Sequence, residues 1–313
     1  MNKTILVTGA GGASGLATVR LLKQTSLYNV IASDINENAV GLYMADKKFI
    51  IPKAIEKNYV NALRQLIKSE NIDLIIPNVD EELKIFASNK DIFPQVLISP
   101  LDTVRVCDNK FKTIQHFKNI IPTPKVFLSH ESISDMDFPL FIKPRVSRGS
   151  QNIYKVSNSS QLLSLMNYLK SIGFSIDKLL ISEYLPGPEY TVEVVCDLNG
   201  NYVIGIPRTR LSVQGGVCSV GKVVRNEEII NIAKKIINNL RFIGPINIQL
   251  KEDKFGDYKI MEINPRIAGG TPISYQCGLN IPLLATKIFF NEDIAREELI
   301  YREGIVFRHF AEI

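Results

Sequence analysis

Residues that bind transition metals or form disulfides are scarce in this chain of 313 residues. Its four cysteines form no CxxC pair and its three histidines form no HExxH motif. This argues against a zinc site and favours free thiols in a reducing compartment. The chain also lacks an apolar run long enough to span a bilayer and the long apolar region of a signal peptide. We therefore expect a cytoplasmic protein without a membrane partner.

Clustered positive charge is lacking as well. The net charge is +5, and the 37 lysine and arginine residues are scattered along the chain. Nucleic-acid-binding proteins concentrate such residues on one face, so we expect no nucleic-acid partner. The composition, 45% hydrophobic and 22% charged, is that of a soluble globular protein, and the length favours two or three linked domains.

Strands and helices alternate over roughly the first 100 residues. This alternation is typical of an α/β domain with a parallel sheet. Strands are predicted at residues 4–8, 29–33, 47–51 and 73–77, and helices at residues 13–24 and 58–69. We expect residues 99–102 to form the closing edge of this sheet, and a domain boundary near residue 105.

The rest of the chain predicts strands that are joined mainly by hairpins, which is typical of an α+β fold. Helices are predicted at residues 109–119, 159–172 and 227–239. Strands separated by loops or turns are predicted within residues 139–156 and 179–197. A hairpin at residues 202–210 is expected to lead through a glycine-bearing loop to a strand at 221–224, and a last hairpin has its first strand at 246–250 and its loop at 252–257.

The segment KIMEINPRIAGG forms the second strand of that hairpin and predicts one polar face. Side chains two positions apart on a strand point the same way, so Glu262 and Asn264 share a face. Met261 and Ile263 are then expected on the opposite side. A half-solvated antiparallel strand would show the same alternation, and it remains the alternative to a ligand site.

Folding the hairpin about its loop adds two partners to this face. Gln249 is set opposite Glu262, and Asn247 is set opposite Asn264. One face then gathers a carboxylate and three amide oxygens, which are the ligands that Mg²⁺ prefers. The nearby Arg266 suits a phosphate or carboxylate of the same assembly. The sequence therefore predicts a magnesium–polyphosphate site.

A basic loop follows the strand that ends at Lys143. The sequence IKPRVSRGSQ places this lysine just before a flexible loop that contains Arg145, Arg148, Gly149 and Ser150. Such a loop can lay backbone N–H groups over phosphates while the cations neutralise them. A basic surface turn is the alternative.

Two glutamates flank the turn in SEYLPGPEY, namely Glu183 and Glu189. A free strand backbone from Glu183 through Tyr184 to Leu185 suits an adenine edge, and a carboxylate suits ribose hydroxyls. Solvated glutamates are the alternative here.

The glycine loop TGAGGASG follows a strand and opens a helix, with Asp34 at the end of the next strand. The spacing of Gly9, Gly12 and Gly15 matches the dinucleotide-binding pattern of extended short-chain dehydrogenases. That family also needs a YxxxK pair well downstream, and the YxxxK of this sequence begins too early, at Tyr43. An NAD(P)-dependent oxidoreductase is therefore kept only as an alternative.

The order of these residues resembles the ATP-grasp superfamily, specifically free-standing proteins similar to the ATP-grasp half of the carbamoyl-phosphate synthase large subunit. The resemblance covers nearly the whole chain. It implies a Rossmann-like pre-ATP-grasp domain at residues 1–104. An ATP-grasp domain at residues 105–313 would follow, with two α+β lobes that clasp ATP, the smaller at about 105–183.

The resemblance also implies a role for each residue. The nucleotide-binding residues are Lys110, Lys143, Arg148, Gly149, Ser150, Glu183, Tyr184, Leu185 and Glu189. Within this set the lysines hold phosphates, the loop at 148–150 is the glycine lid, the stretch at 183–185 takes the adenine, and Glu189 takes the ribose. The ligands of Mg²⁺, or of Mn²⁺ as the alternative ion, are Gln249, Glu262 and Asn264. Arg266 holds the acyl-phosphate or the acceptor, and Arg266 and Lys143 are the catalytic residues.

The implied activity is that of an ATP-dependent carboxylate–amine ligase, which forms an amide through an acyl-phosphate and releases ADP and phosphate. Its expected partners are a small carboxylate and a small amine, with a homodimer left open. The lid is poorer in glycine than is usual, and the chain is too short for both halves of the synthase, so carbamoyl phosphate synthesis is not expected. In this reading TGAGGASG helps to form an acceptor or carboxylate pocket. A non-catalytic nucleotide-binding protein is the second alternative.

Overall fold

The computed structural model describes residues 2–129, 132–147, 152–309 and 311. Within these residues the strands form a parallel sheet of four strands, an antiparallel sheet of four strands and an antiparallel sheet of six strands. The expected α/β part followed by α+β parts is confirmed. None of the helices that these residues form is long and apolar enough to span a bilayer.

The parallel sheet occupies the first part of the chain. Its strands are β1 (Thr4–Thr8), β2 (Asn29–Asp34), β3 (Lys47–Ile50) and β4 (Leu74–Ile76), in the order β3-β2-β1-β4. The accompanying helices are α1 (Ala13–Lys23), α2 (Val40–Met44), α3 (Tyr59–Glu70) and α4 (Asp80–Ser88). Strand β1 is apolar throughout its centre because both of its faces are covered. Ile5 and Val7 join one core cluster, and Leu6 joins another.

The closing edge expected at residues 99–102 is not a strand, so that prediction was wrong. The chain makes a parallel bridge from Ile75 to Val96 and then enters helix α5 (Leu101–Cys107), with Pro100 at the N-cap. Proline has no N–H for a sheet ladder, whereas the first turn of a helix does not need that donor. Helix α6 (Lys110–Phe117) follows, and the side chain of its N-cap residue Asn109 accepts hydrogen bonds from backbone N–H groups of the first turn.

The smaller antiparallel sheet lies between residues 126 and 183. Its elements are β5 (Val126–Phe127), a 3₁₀ turn (Asp135–Asp137), β6 (Leu140–Pro144), β7 (Tyr154–Val156), helix α7 (Ser159–Ser171), a 3₁₀ turn (Ile176–Lys178) and β8 (Leu179–Glu183). The strand order is β5-β8-β6-β7. Leu162, Met166 and Leu169 recur at helical spacing on α7 and pack with the buried strand residues Leu140 and Ile142.

The larger antiparallel sheet follows. Its strands are β9 (Glu189–Cys196), β10 (Tyr202–Gln214), β11 (Val217–Val223), β12 (Gly244–Glu252), β13 (Tyr258–Asn264) and β14 (Gly304–Phe307), in the order β13-β12-β9-β10-β11-β14. The helices are α8 (Glu227–Asn239), α9 (Thr271–Gln276) and α10 (Ile281–Phe290), with a 3₁₀ turn at Arg296–Leu299. Val192 and Val194 of β9 and Ile248 of β12 form a core with the apolar side of α8.

Strands β10 and β11 differ from the sequence prediction in length. Residues 202–210 were expected to lead into a loop, but β10 continues to Gln214 and β11 begins at Val217. Only Gly215 and Gly216 lie between the two strands, and both have positive φ. Such angles suit a two-residue hairpin turn, and glycine adopts them without steric cost.

The register of the last hairpin is confirmed. Gln249 pairs with Glu262, and Asn247 pairs with Asn264. The register then shifts, since Leu250 pairs with Ile260 and leaves Met261 as an extra residue in β13. This bulge places Met261 on the wall of the same cavity as Glu262, so its expected orientation was wrong. Ile263 is buried in the core cluster with α8, as expected.

Candidate active site

A cavity of about 430 Å³ lies where the three sheets approach one another. The parallel-sheet part contributes Ala13, Ser14 and Asp80, the smaller sheet contributes Lys143, and the larger sheet contributes a row of polar side chains. This volume is within the range of small-molecule sites in proteins.

Four neighbouring strands of the larger sheet supply the first polar row. Arg208 of β10 pairs with Thr191 of β9, Thr191 pairs with Gln249 of β12, and Gln249 pairs with Glu262 of β13. Residues that are directly opposite in an antiparallel ladder project to the same face. All four line the cavity, while the other face of the sheet packs on α8.

A second row lies beside the first. Glu193 of β9 pairs with Asn247 of β12, which pairs with Asn264 of β13. Asn247 is 7% exposed and lines the cavity, and its Oδ1 has no hydrogen-bond partner within the described part of the chain. A buried acceptor without a partner is costly, so this oxygen is suited to bind a ligand.

Glu262 is the carboxylate of the predicted metal site. Its Oε2 lies 3.3 Å from Lys110 Nζ, and its Oε1 accepts a hydrogen bond of 3.2 Å from Asn264 Nδ2. Burial alone would raise the pKa of Glu262, but the Lys110 and Lys143 ammonium groups and the Asn264 amide hold that pKa below its ordinary value. The carboxylate is therefore ionised and available to a cation.

The oxygen atoms around Glu262 fit a hard divalent ion. Gln249, Asn264 and Asn247 add amide oxygens to the single carboxylate on the same face. Among the residues that the structure describes, no three His, Cys, Asp or Glu side chains converge. An ion here would thus take one protein carboxylate, amide oxygens and the oxygens of a bound polyphosphate, which is a usual environment for Mg²⁺.

Two buried lysines face this carboxylate. Lys110, at the start of α6, donates to the Ser147 carbonyl oxygen at 3.0 Å, and its own N–H donates to the Arg145 carbonyl oxygen. Lys143, at 5% exposure on β6, has a pKa lowered to about 8, chiefly by burial and partly offset by Glu262. Two amines beside one carboxylate leave positive charge for an anionic ligand.

Arg148, Gly149 and Ser150, the predicted lid, lie outside the described residues. Ser147, directly before them, lines the cavity and contacts Lys110.

The two glutamates of SEYLPGPEY are placed differently. Glu189 lines the cavity and forms an ion pair with Arg210. Glu183 Oε1 is bound by Lys259 Nζ at 2.7 Å and by the Lys125 N–H at 2.7 Å.

Among the described residues, the cavity wall does not include Glu183, Tyr184 or Leu185. The Tyr184 ring packs at 6.3 Å from Phe141, which does line the cavity. Leu185 is buried. The stretch at 183–185 is thus behind the wall, and its Glu183 and Tyr184 N–H groups donate to the Lys125 and Pro139 carbonyl oxygens.

Arg266 crosses from the larger sheet to the parallel-sheet part. Its Nε and Nη2 donate to the two carboxylate oxygens of Asp80 at 2.6 and 3.0 Å. Burial would lower the pKa of Arg266, but the Asp80 carboxylate outweighs burial and raises that pKa above its ordinary value. Asp80 was not found from the sequence, although it follows β4 at the carboxyl end of a parallel sheet, where ligand-binding residues commonly lie.

The TGAGGASG loop is tightly packed. A Cβ on Gly15 would lie 2.0 Å from the Gly9 carbonyl oxygen, and Gly9 has φ of +64°. Asp34 Oδ2 accepts a hydrogen bond from the Gly11 N–H at 2.7 Å, and Asp34 Oδ1 accepts one from the Asn36 N–H. The carboxylate that a dinucleotide site would use for a ribose is therefore already bound by backbone N–H groups of the protein. Nothing in this arrangement supports the nicotinamide alternative.

Two family models match the chain. Residues 5–101 match the PylC-like N-terminal domain, and residues 175–310 match the family described as ATP-grasp in the biosynthetic pathway with Ter operon. A carbamoyl-phosphate synthase of Methanobrevibacter smithii is 27% identical over 185 residues, which are 55% of this chain and 47% of that protein. The chain spans less than half of the length of the first curated relatives that it matches.

Solved structures share the fold. The L-amino acid ligase of Bacillus licheniformis superposes with a TM-score of 0.73 and 17% identity, over 96% of this chain and 78% of that one. The biotin carboxylase domain of the Hydrogenobacter thermophilus 2-oxoglutarate carboxylase, solved as a dimer with MgADP, ADP and bicarbonate, gives a TM-score of 0.75 and 17% identity. That match covers 97% of this chain and 73% of the other.

Proposed function

We propose that this chain, an ATP-grasp protein resembling the large chain of carbamoyl-phosphate synthase, is an ATP- and Mg²⁺-dependent carboxylate–amine ligase. The observation that carries the proposal is the cavity in which Lys110, Lys143, Glu262 and Arg266 meet. Cations for a polyphosphate, oxygens for a metal ion and an arginine for an anionic intermediate line the same cavity.

The nucleotide is assigned to the side of the cavity that the smaller sheet forms. Lys110 and Lys143 would hold the phosphates, and Glu189 the ribose. The backbone at 183–185 would hold the adenine, with 148–150 as the lid. This keeps Glu183 in the nucleotide site through its main chain, since Lys259 and Lys125 already bind its carboxylate.

The metal ion is assigned to Glu262, Gln249 and Asn264, an oxygen-only ligand set that suits Mg²⁺, with Mn²⁺ as the alternative ion. When bound, the ion neutralises charge that develops on the transferring phosphoryl group. The Hydrogenobacter domain that shares this fold was solved with MgADP, which supports the same pairing of nucleotide and ion here.

The reaction follows from these positions. A substrate carboxylate attacks the γ-phosphorus of ATP, and ADP leaves. The amine nitrogen then attacks the acyl-phosphate carbon, and phosphate leaves with formation of an amide. Arg266 would hold the acyl-phosphate, and the closed cavity would keep water from it. The fold shared with an L-amino acid ligase supports small acids and amines as the substrates.

We also propose a division at residue 104, with the pre-ATP-grasp domain before it and the ATP-grasp domain, including the smaller lobe at about 105–183, after it. The TGAGGASG loop would then serve the acceptor side, because Ala13 and Ser14 of α1 line the cavity near Arg266. We also expect that two copies of the chain can form a homodimer.

The decisive experiment is a phosphate-release screen with ATP, Mg²⁺ and pairs of small carboxylates and amines. We expect release that requires both substrates and that is lost in Glu262→Gln. The matched control is Glu37→Gln, an exposed glutamate away from the cavity, which should keep full activity. Tight binding of NADPH together with no binding of Mg-ATP would overturn the proposal.

A further inference from the structure

Arg208 is a buried arginine whose charged group faces the cavity. Its side chain is 2% exposed, its Nε donates to Glu193 Oε1 at 3.1 Å, and it lines the cavity wall. Its Nη1 has no hydrogen-bond partner within the described residues. A guanidinium has five N–H donors in a fixed fork, so a single bond to Glu193 leaves most of its capacity unused.

Glu193 has little acceptor capacity left for the other N–H groups of Arg208, because three donors already share its two oxygens. Ser274 Oγ donates to Glu193 Oε1 at 2.9 Å, and Thr271 Oγ1 donates to Oε2. The carboxylate is buried and receives hydrogen bonds on both oxygens. Its role is therefore to orient Arg208 and hold its charge in the wall.

Positive charge is in excess around this pair. Burial is the main cause that lowers the pKa of Arg308, and the charges of Arg20 and Arg208 lower it further. The charge of Glu193 raises this pKa. Arg308 thus lies within electrostatic range of two further guanidinium groups, those of Arg20 and Arg208, as well as of Glu193. An excess of buried positive charge is unfavourable unless an anion compensates it, and planar arginine forks match carboxylates especially well.

Two glycines shape the space in front of the guanidinium. A Cβ on Gly270 would lie 2.4 Å from Arg208 Nη2, 2.6 Å from Cζ and 2.9 Å from Nη1. A Cβ on Gly269 would lie 3.0 Å from the Cβ of Ala13. Any side chain at position 270 would push the Arg208 guanidinium aside. The glycine therefore allows the backbone after Arg266 to pass close to this guanidinium.

Arg208 is distant from the metal and phosphate positions. It stands three strands from Glu262 in the first polar row, which corresponds to about 14 Å at ordinary strand spacing. The phosphates of a nucleotide are assigned to Lys110 and Lys143, so Arg208 is free for a different anionic group. That group belongs to the end of a substrate that does not react.

We propose that Arg208, oriented by Glu193, binds a carboxylate of the substrate pair that is separate from the carboxylate activated by ATP. This inference rests on the proposed ligase function and narrows its substrates. The second carboxylate is carried either by the amine, which is then an amino acid, or by the acid, which is then a dicarboxylate. The product in both cases retains a free carboxylate.

The experiment compares substrates that differ only in this charge. Phosphate release with Mg-ATP is measured for pairs of the twenty common amino acids, and each productive acceptor is then replaced by its primary amide. Succinate is likewise compared with succinamate as the acid. We expect removal of one carboxylate, on the amine in the first arm or on the acid in the second, to lower kcat/KM at least tenfold. Equal kcat/KM in both arms would overturn the inference and leave the ligase function standing.

Three variants link that difference to Arg208. Glu193→Gln/Arg208→Gln removes both charges together, so no buried charge is left unpaired, and Arg208→Lys keeps the charge without the fork. Gly270→Ala displaces the guanidinium while every charge is kept. Each should raise KM for the carboxylate-bearing substrate tenfold or more with KM for ATP within threefold of the wild type. The control is Arg225→Gln, an exposed arginine that contacts Tyr301 and should change neither constant.

A binding measurement separates this inference from the ligase function. Thermal protection is recorded without ATP at constant ionic strength, with succinate and the amino acids against their amides and against inorganic phosphate. Protection by carboxylates that is lost in the double variant supports the inference even if phosphate release is absent, which would count against the ligase function alone. Protection by phosphate only, or equal protection by amides, would overturn the inference.

Discussion

Arg266 and Asp80 form a bidentate ion pair, 2.6 and 3.0 Å long, between residues that are 186 positions apart in the chain. The pair ties the end of β13 to the start of α4, so the arginine assigned to the acyl-phosphate is held by the parallel-sheet part of the protein. A residue near the N-terminal sheet therefore controls the geometry of the site on the larger sheet.

Asp80→Asn tests this control. We expect kcat to fall at least tenfold, because the guanidinium loses a charged acceptor and its fixed orientation, and we expect KM for ATP to change little. Stability should drop by about 1–3 kcal/mol, as is usual when a partly buried charged hydrogen bond is lost. Steady-state kinetics and urea unfolding measure the two effects. Unchanged kcat would mean that Asp80 serves stability alone.

Glu262→Gln tests the metal site. Turnover should fall by about two orders of magnitude or more, since charge stabilisation at the transferring phosphoryl group is a large part of catalysis. The free protein should also melt at a lower temperature, because Lys110 and Lys143 lose the carboxylate that compensates them. Phosphate release and thermal unfolding of the same variant provide the measurement. Full activity would remove the metal site from the proposed mechanism.

Lys143 should make ATP binding depend on pH. Its pKa in the folded protein is about 8, below the ordinary lysine pKa of 10.5, and bound phosphates should raise this pKa again. At pH 8 about half of the molecules would take up a proton when ATP binds, and affinity should fall as the pH rises above 8. Calorimetry in buffers of different ionisation enthalpy measures this uptake. Lys143→Arg, which stays charged, should abolish it, and an unchanged uptake in that variant would contradict the assignment.

The same lysine should lower the stability of the free protein. Because the folded pKa is depressed, the unfolded chain binds more protons between pH 8 and 10.5, so stability rises with pH across that window. The destabilisation is fully present below pH 8. Lys143→Met should therefore melt at a higher temperature than the wild type at pH 7 and bind ATP more weakly. A lower melting temperature would instead indicate a structural role.

Glu183 and Glu189 should respond differently to the same substitution. Glu183→Gln is expected to change KM for ATP less than threefold, because Lys259 and Lys125 already occupy its carboxylate and only the backbone at 183–185 is left for the adenine. Glu189→Gln should raise that KM clearly more, since Glu189 lines the cavity. ATP titrations of both variants decide between them, and a larger effect at Glu183 would contradict this order.

Local sequence patterns account for the elements and for the hairpin register. Helix α8 begins and ends at the predicted residues, and the pairing of Gln249 with Glu262 follows from alternation about a polar loop. These features depend on nearby residues, whose apolar spacing and loop chemistry are visible in one segment. The bulge at Met261 was missed because alternation assumes an unbroken ladder.

Contacts between distant segments could not be predicted in the same way. Asp80 carries no local signal that pairs it with Arg266, and Arg208 directly follows the apolar residues 203–207 of β10. A charged residue inside such a strand does indicate a buried function, but its partner Glu193 is defined only when β9 and β10 pair. The role of Gly270 likewise depends on the position of the Arg208 side chain.

The polar row that runs from Arg208 to Glu262 draws one residue from each of four strands. Apart from the bulge at Met261, each strand alternates between the cavity and the core, so a single inserted or deleted residue would turn a functional side chain toward α8. The turn at residues 197–201, which joins β9 to β10, has no such restriction, because it lies beyond the row and does not line the cavity. In evolution, this protein should therefore vary freely in the length of its turns, while changes of length inside these strands are removed by selection.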